Sequence, residues 1–245
     1  MMGVRNRVPV KQGASPSGGL GVVAVTVAGP LLGVALSRLV GVLPSTLGPL
    51  SRLTAGVVLY GLGLVVAAVG YLALTGRLEV LAGGSTDSRR VRLAVVVTAG
   101  LVAAWVATVG ALTVLGVPFA GNALTSLAER GVRASLLLLA ALSVLVIAPS
   151  EELLYRGAVQ ASLYDLTSRR GAVLLASVPF ALAHVPTLYA DTAAPSAVCL
   201  SLVGVFGLSL VFGWLHARTD DLLVPTVVHG TYNAAVFCLL YLLAT

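Results

Sequence analysis

Charged residues are scarce in this chain of 245 residues, because Asp, Glu, Lys and Arg together make up only 10% of it. Soluble globular domains contain about 25% of these residues. The chain is also 58% hydrophobic, with a mean hydropathy of +1.02. This composition excludes an ordinary soluble domain and predicts that most of the chain lies in lipid.

Cysteine is equally scarce, with one residue at position 199 and one at position 238. Both fall inside apolar stretches without a polar partner nearby in the sequence. They give no basis for a disulfide framework or a CxxC metal motif. We therefore interpret Cys199 and Cys238 as small packing residues, with a catalytic cysteine as the weaker alternative.

Seven apolar stretches reach or approach the length of about 20 residues that a transmembrane helix needs. They lie at about 20–43, 53–75, 93–116, 134–166, 171–190, 195–216 and 222–244. The sequence therefore predicts an all-α fold, a polytopic transmembrane helix bundle with about seven spans. No internal repeat is visible, so we expect one structural domain.

The net charge of +6 would suggest a nucleic-acid partner in a soluble protein, but here the basic residues lie in short segments between the spans. With a cytoplasmic N-terminus, most of them fall on the cytoplasmic side, as the positive-inside rule requires. We expect an integral multi-pass protein of a prokaryotic plasma membrane whose C-terminus is outside. Its surroundings are the lipid bilayer, and no nucleic-acid partner is expected.

Three charges interrupt the fourth span, where Glu151, Glu152 and Arg156 follow an apolar run of 16 residues. A charge near the middle of a membrane helix costs roughly 2.5 to 3.5 kcal/mol. The three must face a protein interior or a water cavity, unless the helix simply ends near Ser150. Glu152 and Arg156 are spaced for an ion pair, which leaves Glu151 free for chemistry. Pro149 can kink the helix at this level.

Two later spans each carry a pair of residues four apart on one helix face, Phe180 with His184 and His229 with Asn233. At about 1.5 Å per residue, His184, Asn233 and Glu151 can share one layer near the cytoplasmic side. A buried glutamate with two imidazoles can activate water. Glu151, His184 and His229 could instead hold one divalent metal such as zinc. The Asn233 amide could stabilise an oxyanion.

Together these motifs resemble the CAAX prenyl endopeptidase family of intramembrane proteases, also called the CAAX protease and bacteriocin-processing (CPBP or ABI) family. Its signatures E-E-x-x-x-R, F-x-x-x-H and H-x-x-x-N stand at Glu151–Arg156, Phe180–His184 and His229–Asn233. The resemblance covers about residues 134–244. Each motif alone is short, but their order and their placement in successive apolar helices are specific.

What this resemblance implies is an endopeptidase that cuts a membrane-associated peptide or protein near its C-terminus or its membrane boundary, and we expect its site to open to the cytoplasmic side. Glu151 and His184 would activate the attacking water, and His229 and Asn233 would bind and polarise the scissile carbonyl. The residues that would hold this geometry are Glu152, Arg156 and Phe180. A metal-dependent and a glutamate-type mechanism both stay open. The alternatives are a non-proteolytic immunity or binding protein, and a proton or solute transporter.

The polar residues also suggest how the chain is organised. We expect a flexible cytoplasmic tail over 1–19, a scaffold of three spans over 20–132 and a catalytic core of four spans over 133–245. A short interfacial helix is predicted over 122–130.

A few other residues receive weaker interpretations. His216 is interpreted as an interfacial anchor, Asp220 and Asp221 as solvated loop charges, and Tyr155 as a packing or substrate-contacting residue. A face of small residues in the first span is expected to pack within the bundle. These residues are Gly29, Gly33, Ser37 and Gly41.

Overall fold

A computed structural model describes residues 16–82, 87–117, 133–191 and 194–243. Within these ranges the chain is helical and contains no strand, which confirms the predicted all-α class. The predicted interfacial helix over 122–130 and most of the predicted tail lie outside the described residues.

The main helices follow one another through short connections, and two short 3₁₀ turns, Arg38–Val42 and Leu78–Leu81, follow the first two of them. They are α1 (Pro16–Ser37), α2 (Pro49–Leu74), α3 (Ser88–Val114), α4 (Arg133–Leu163), α5 (Arg169–Ala183), α6 (Val185–Asp191), α7 (Pro195–Thr219) and α8 (Leu223–Leu243). Seven helical segments of the described chain are long and apolar enough to cross a membrane, with α5 and α6 forming one of them. The predicted seven spans are therefore confirmed.

Helix α3 begins earlier than the apolar pattern indicates. The Asp87 carboxylate accepts a hydrogen bond of 2.8 Å from the Arg90 backbone N–H and so caps the helix. The same bond holds the pKa of Asp87 below its usual value. Hydropathy detects only the part of a helix that lies in lipid, so the predicted span begins at about residue 93 and not at Ser88.

Helix α4 is irregular along most of its length. Its α-helical segments alternate with two π-helical ones, in the order Arg133–Leu142 (α), Ser143–Ile147 (π), Ala148–Glu152 (α), Leu153–Gln160 (π) and Ala161–Leu163 (α). Pro149 is the second residue after the first π segment, and its missing amide hydrogen prevents the regular α pattern there. π segments are rare and occur often at functional sites. They re-aim the side chains of Glu151, Glu152 and Arg156.

Close contacts between small residues hold α1 against its neighbours. A Cβ atom added to Gly63 of α2 would lie 2.5 Å from the Gly33 backbone, and one added to Gly29 would lie 2.6 Å from the Leu154 side chain of α4. The predicted intramolecular packing face is confirmed for Gly29 and Gly33. It is wrong for Gly41, where a Cβ would meet no heavy atom within 4 Å.

Helix α4 lies at the centre of the bundle and α3 at its edge. Leu154 and Ala158 of α4 are fully buried, whereas no residue of α3 is buried. A Thr98–Thr231 hydroxyl contact of 3.2 Å helps to fix α3 against α8. Both cysteines, at positions 199 and 238, are exposed. Their interpretation as packing residues is wrong, because they lie on the outer surface of membrane-spanning helices.

Candidate active site

The Glu152–Arg156 ion pair that the sequence predicts is formed in the protein interior. Glu152 Oε2 lies 3.2 Å from Arg156 Nε, and the two residues are 0% and 1% exposed. The contact has the distance of an ion pair but not the alignment of a hydrogen bond. Because both groups are buried, each charge depends on the other for compensation.

Arg156 also joins α4 to two other helices. Its Nη2 donates to the backbone oxygen and to the hydroxyl of Ser209 on α7, both at 2.9 Å. The guanidinium lies 4.7 Å from the ring centroid of Phe180 on α5 and 5.7 Å from that of Phe212 on α7. Arg156 is therefore a structural centre for the three helices that surround it.

His229 of α8 is held between the two glutamates of α4. Its Nδ1 lies 2.8 Å from Glu152 Oε1, and its Nε2 lies 3.8 Å from Glu151 Oε2. Because an ionised carboxylate only accepts hydrogen bonds, Nδ1 carries a hydrogen and donates it to Glu152. The imidazole also stacks on Phe212 at a centroid distance of 4.6 Å. These contacts fix the ring with Nε2 directed at Glu151.

Glu151 is buried but has no hydrogen bond to its carboxylate within the described part of the chain. The residue is 8% exposed, and the nearest titratable nitrogen is His229 Nε2. The phenols of Tyr60 on α2 and Tyr155 on α4 lie close enough to interact electrostatically with it. The Glu151 carboxylate is thus not engaged in a hydrogen bond with a described residue, whereas Glu152 contacts both Arg156 and His229.

His184 lies at the C-terminal end of α5, half-buried. Its Nδ1 is 2.8 Å from the Phe180 carbonyl oxygen, so Nδ1 carries a hydrogen and donates it to that oxygen. The Phe180 ring packs on both imidazoles, at centroid distances of 4.9 Å for His184 and 6.0 Å for His229. Among the described residues, no hydrogen bond or ion pair joins His184 directly to Glu151.

Asn233 follows His229 by one helical turn in α8 and is half-buried. Its side-chain amide makes no hydrogen bond to another described residue. The predicted polar residues are Glu151, Glu152, Arg156, His184, His229 and Asn233. Contacts that involve Glu152, Arg156 and the Phe180 ring join the first five of them. The sixth, Asn233, is placed beside them by its position in the helix.

Comparison with known proteins agrees with this arrangement. Residues 133–235 match the family model described as Type II CAAX prenyl endopeptidase Rce1-like. These residues form an Rce1-like domain. The family resemblance predicted from the three motifs is confirmed over this segment, which supports an intramembrane CAAX-type endopeptidase. No curated protein and no solved structure matches the chain.

The Rce1-like domain does not gather the three predicted metal ligands into one site. Glu151, His184 and His229 have the donor types that suit zinc. Glu151 and His229 are neighbours, but nowhere in the described ranges do three His, Cys, Asp or Glu side chains come together closely enough to hold a metal ion. The geometry therefore does not fit a preformed three-ligand centre.

A second polar cluster in the Rce1-like domain was not predicted from the sequence. His216 is 6% exposed, so its interpretation as an interfacial anchor is wrong. Its ring stacks on Tyr164 at a centroid distance of 6.0 Å, and Gln160 Nε2 donates to Tyr164 Oη at 2.6 Å and to the Gly213 carbonyl at 2.9 Å. Gln160, four residues after Arg156, is the signal that could have indicated this cluster.

Asp221 is the other residue that the sequence reasoning misplaced. It is 4% exposed, pairs with Arg90 of α3 at 2.5 Å, and accepts a hydrogen bond of 2.8 Å from the Leu223 N–H. Asp221 thus joins α3 to the start of α8, which carries His229. The neighbouring Asp220 is exposed, as expected.

Proposed function

We propose that this protein is an intramembrane endopeptidase that hydrolyses a peptide bond in a membrane-associated protein or peptide, with Glu151 as the general base. The observation that carries this proposal is that one of the two glutamates is paired and the other is not. Glu152 is paired with Arg156 and His229. Glu151 has no hydrogen bond among the described residues and faces His229 Nε2 at 3.8 Å.

In the first step, the Glu151 carboxylate takes a proton from water as the water oxygen attacks the scissile carbonyl carbon. The carbonyl oxygen becomes an oxyanion. In the second step the C–N bond breaks, and the proton passes to the leaving nitrogen. The products are a new carboxylic acid and a free amine, so no atom or electron is left over.

His229 can serve this reaction in two protonation states. With Nδ1–H donated to Glu152, the neutral ring has a lone pair at Nε2 that can relay the proton taken up by Glu151. Once protonated, Nε2 becomes a donor that can stabilise the oxyanion, and the charge of Glu152 balances the imidazolium. The pairing resembles the way a buried carboxylate orients a catalytic histidine in hydrolases.

His184 and Asn233 complete the proposed site from the half-buried side. Because Nδ1 of His184 donates to the Phe180 carbonyl, Nε2 is the ring nitrogen that can accept a hydrogen bond from the attacking water when the ring is neutral. The Asn233 amide offers two hydrogens to the oxyanion and has no competing partner among the described residues.

The test is cleavage of a membrane peptide by the protein in liposomes, followed by mass spectrometry of the products. A farnesylated and an unprenylated peptide, each ending in a CAAX sequence, would be compared. We expect Glu151→Gln to lower the rate by about 10²- to 10⁴-fold. The matched control is Glu79→Gln, because Glu79 is exposed in the 3₁₀ turn after α2. Cleavage by Glu151→Gln at the parent rate would refute the role of Glu151.

A further inference from the structure

A cleft outside the catalytic site is lined by arginines from two helices. Arg89 and Arg92 come from the first turns of α3, and Arg218 comes from the last turn of α7. Leu93 and Val96 form its apolar side, and its volume is about 360 Å³. None of these residues takes part in the proposed hydrolysis.

The three arginines of this cleft form no ion pair with a described carboxylate, and the nearby Asp87 interacts with Arg89 only at longer range. Other arginines at the same end of the bundle are paired, namely Arg77 with Asp165, Arg90 with Asp221 and Arg169 with Asp220. Among the described residues, no carboxylate lies within ion-pair distance of Arg89, Arg92 or Arg218, and the adjoining sequence 83–86 contains no acidic residue. Three like charges around one cleft attract an anion.

The guanidinium groups of the cleft remain available to a ligand. Arg92 makes one long contact of 3.4 Å, from Nε to the Ser88 carbonyl. The Arg218 guanidinium lies over the Trp214 ring at 5.6 Å, which leaves its in-plane hydrogens unused. Planar guanidinium groups suit phosphate oxygens because they donate two parallel hydrogen bonds.

We infer that this cleft binds the phosphate headgroup of an anionic phospholipid, with an acyl chain lying along Leu93 and Val96. The cleft lies at the ends of two membrane-spanning helices, the level at which headgroups are found. Val96 is 68% exposed, and the 44% exposed Trp214 ring suits the membrane interface. Basic pockets between transmembrane helices are known headgroup sites.

A lipid bound here would hold α3 in the bundle. Helix α3 has no buried residue, so its attachment depends on surface contacts with α7 and α8. A headgroup that contacts both α3 and α7 would add a link between them. The lipid would thereby stabilise the packing of α3 against α8, the helix of His229.

The test measures lipid binding to the delipidated full-length protein in neutral detergent by native mass spectrometry. The probes are dioleoyl phosphatidylglycerol, dioleoyl phosphatidylcholine, glycerol 1-phosphate and inorganic phosphate. A surface arginine contributes about fivefold to binding of an anionic lipid, so Arg92→Gln with Arg218→Gln should weaken phosphatidylglycerol binding about 25-fold. The charge-matched control combines Arg38→Gln and Arg170→Gln, two exposed residues outside the cleft, and should bind like the parent.

Three results would overturn the inference, and none depends on protease activity. The first is an equal loss of phosphatidylglycerol binding in the cleft and control variants. The second is equal binding of phosphatidylcholine by the parent. The third is binding of glycerol 1-phosphate or inorganic phosphate as tight as that of the lipid, which would assign the cleft to a soluble anion. If the cleft double variant does not fold, Arg218→Gln alone should show about a fivefold loss.

Discussion

Replacing Arg156 by methionine should destabilise the bundle more than most single substitutions, because it leaves a buried charge behind. Arg156 is 1% exposed, pairs with Glu152 and donates two hydrogen bonds of 2.9 Å to Ser209. Removing one partner of a buried ion pair costs about 3–5 kcal/mol, since the other charge is left uncompensated. We expect Arg156→Met to lower the free energy of unfolding by that amount.

A double-mutant cycle can separate the effect of the uncompensated Glu152 charge from the effect of lost packing. Glu152→Gln removes the carboxylate charge, so the combination of Glu152→Gln with Arg156→Met should recover about 1–3 kcal/mol relative to the sum of the single changes. The assay is reversible unfolding in SDS-containing mixed micelles, followed by circular dichroism. Arg170→Met is the control, because Arg170 is exposed, and its effect should stay within about 0.5 kcal/mol. Strictly additive effects of the two site substitutions would refute the argument from an uncompensated charge.

Two further predictions use matched pairs in the same unfolding assay. Tyr155→Phe should leave the free energy of unfolding unchanged or raise it by up to about 1–3 kcal/mol, because the buried Tyr155 hydroxyl has no hydrogen-bond partner among the described residues. Tyr164→Phe should lower it by about 1 kcal/mol, because it removes the hydrogen bond from the Gln160 amide. A large loss of stability in Tyr155→Phe alone would contradict this reasoning. Gly63→Ala should cost about 1–3 kcal/mol through a contact of 2.5 Å with the Gly33 backbone, while Gly70→Ala, with open space around its Cβ, should be neutral or stabilising. Equal effects of the two alanines would contradict the close packing of α1 and α2.

Features that depend on local spacing could be predicted from the sequence. The seven spans follow from long apolar runs, and the Glu152–Arg156 pair follows from a separation of four residues within a membrane-spanning helix. The same reasoning left Glu151 as the free carboxylate, and its lack of hydrogen bonds among the described residues agrees with that interpretation. Each of these predictions depends on the high free-energy cost of an unpaired polar group in lipid, which excludes most other arrangements.

Features that depend on which helices are neighbours could not be predicted. The contact of His229 with Glu152 joins residues 77 positions apart, and the sequence alone did not indicate which glutamate the histidine would choose. The burial of His216 depends on Gln160 and Tyr164, which come from a different part of the chain. Asp221 looked like an ordinary loop charge because its partner lies on α3.

The irregular course of α4 had only a partial signal in the sequence. Pro149 indicates a disturbance of the helix, but it does not specify two π segments or their positions. Because π turns shift the direction of side chains, the distance between Glu151 and His229 depends on them. Such geometry follows from the packing of the whole bundle and not from a local pattern.

The central claim is that Glu151, and not Glu152, is the carboxylate that activates water. The most direct measurement is the peptide cleavage rate of Glu151→Gln and of Glu152→Gln, each divided by the amount of folded protein. The account predicts a folded and inactive Glu151→Gln, with residual cleavage in the folded fraction of Glu152→Gln. Parent-level cleavage by Glu151→Gln, or complete inactivity confined to Glu152→Gln, would contradict it.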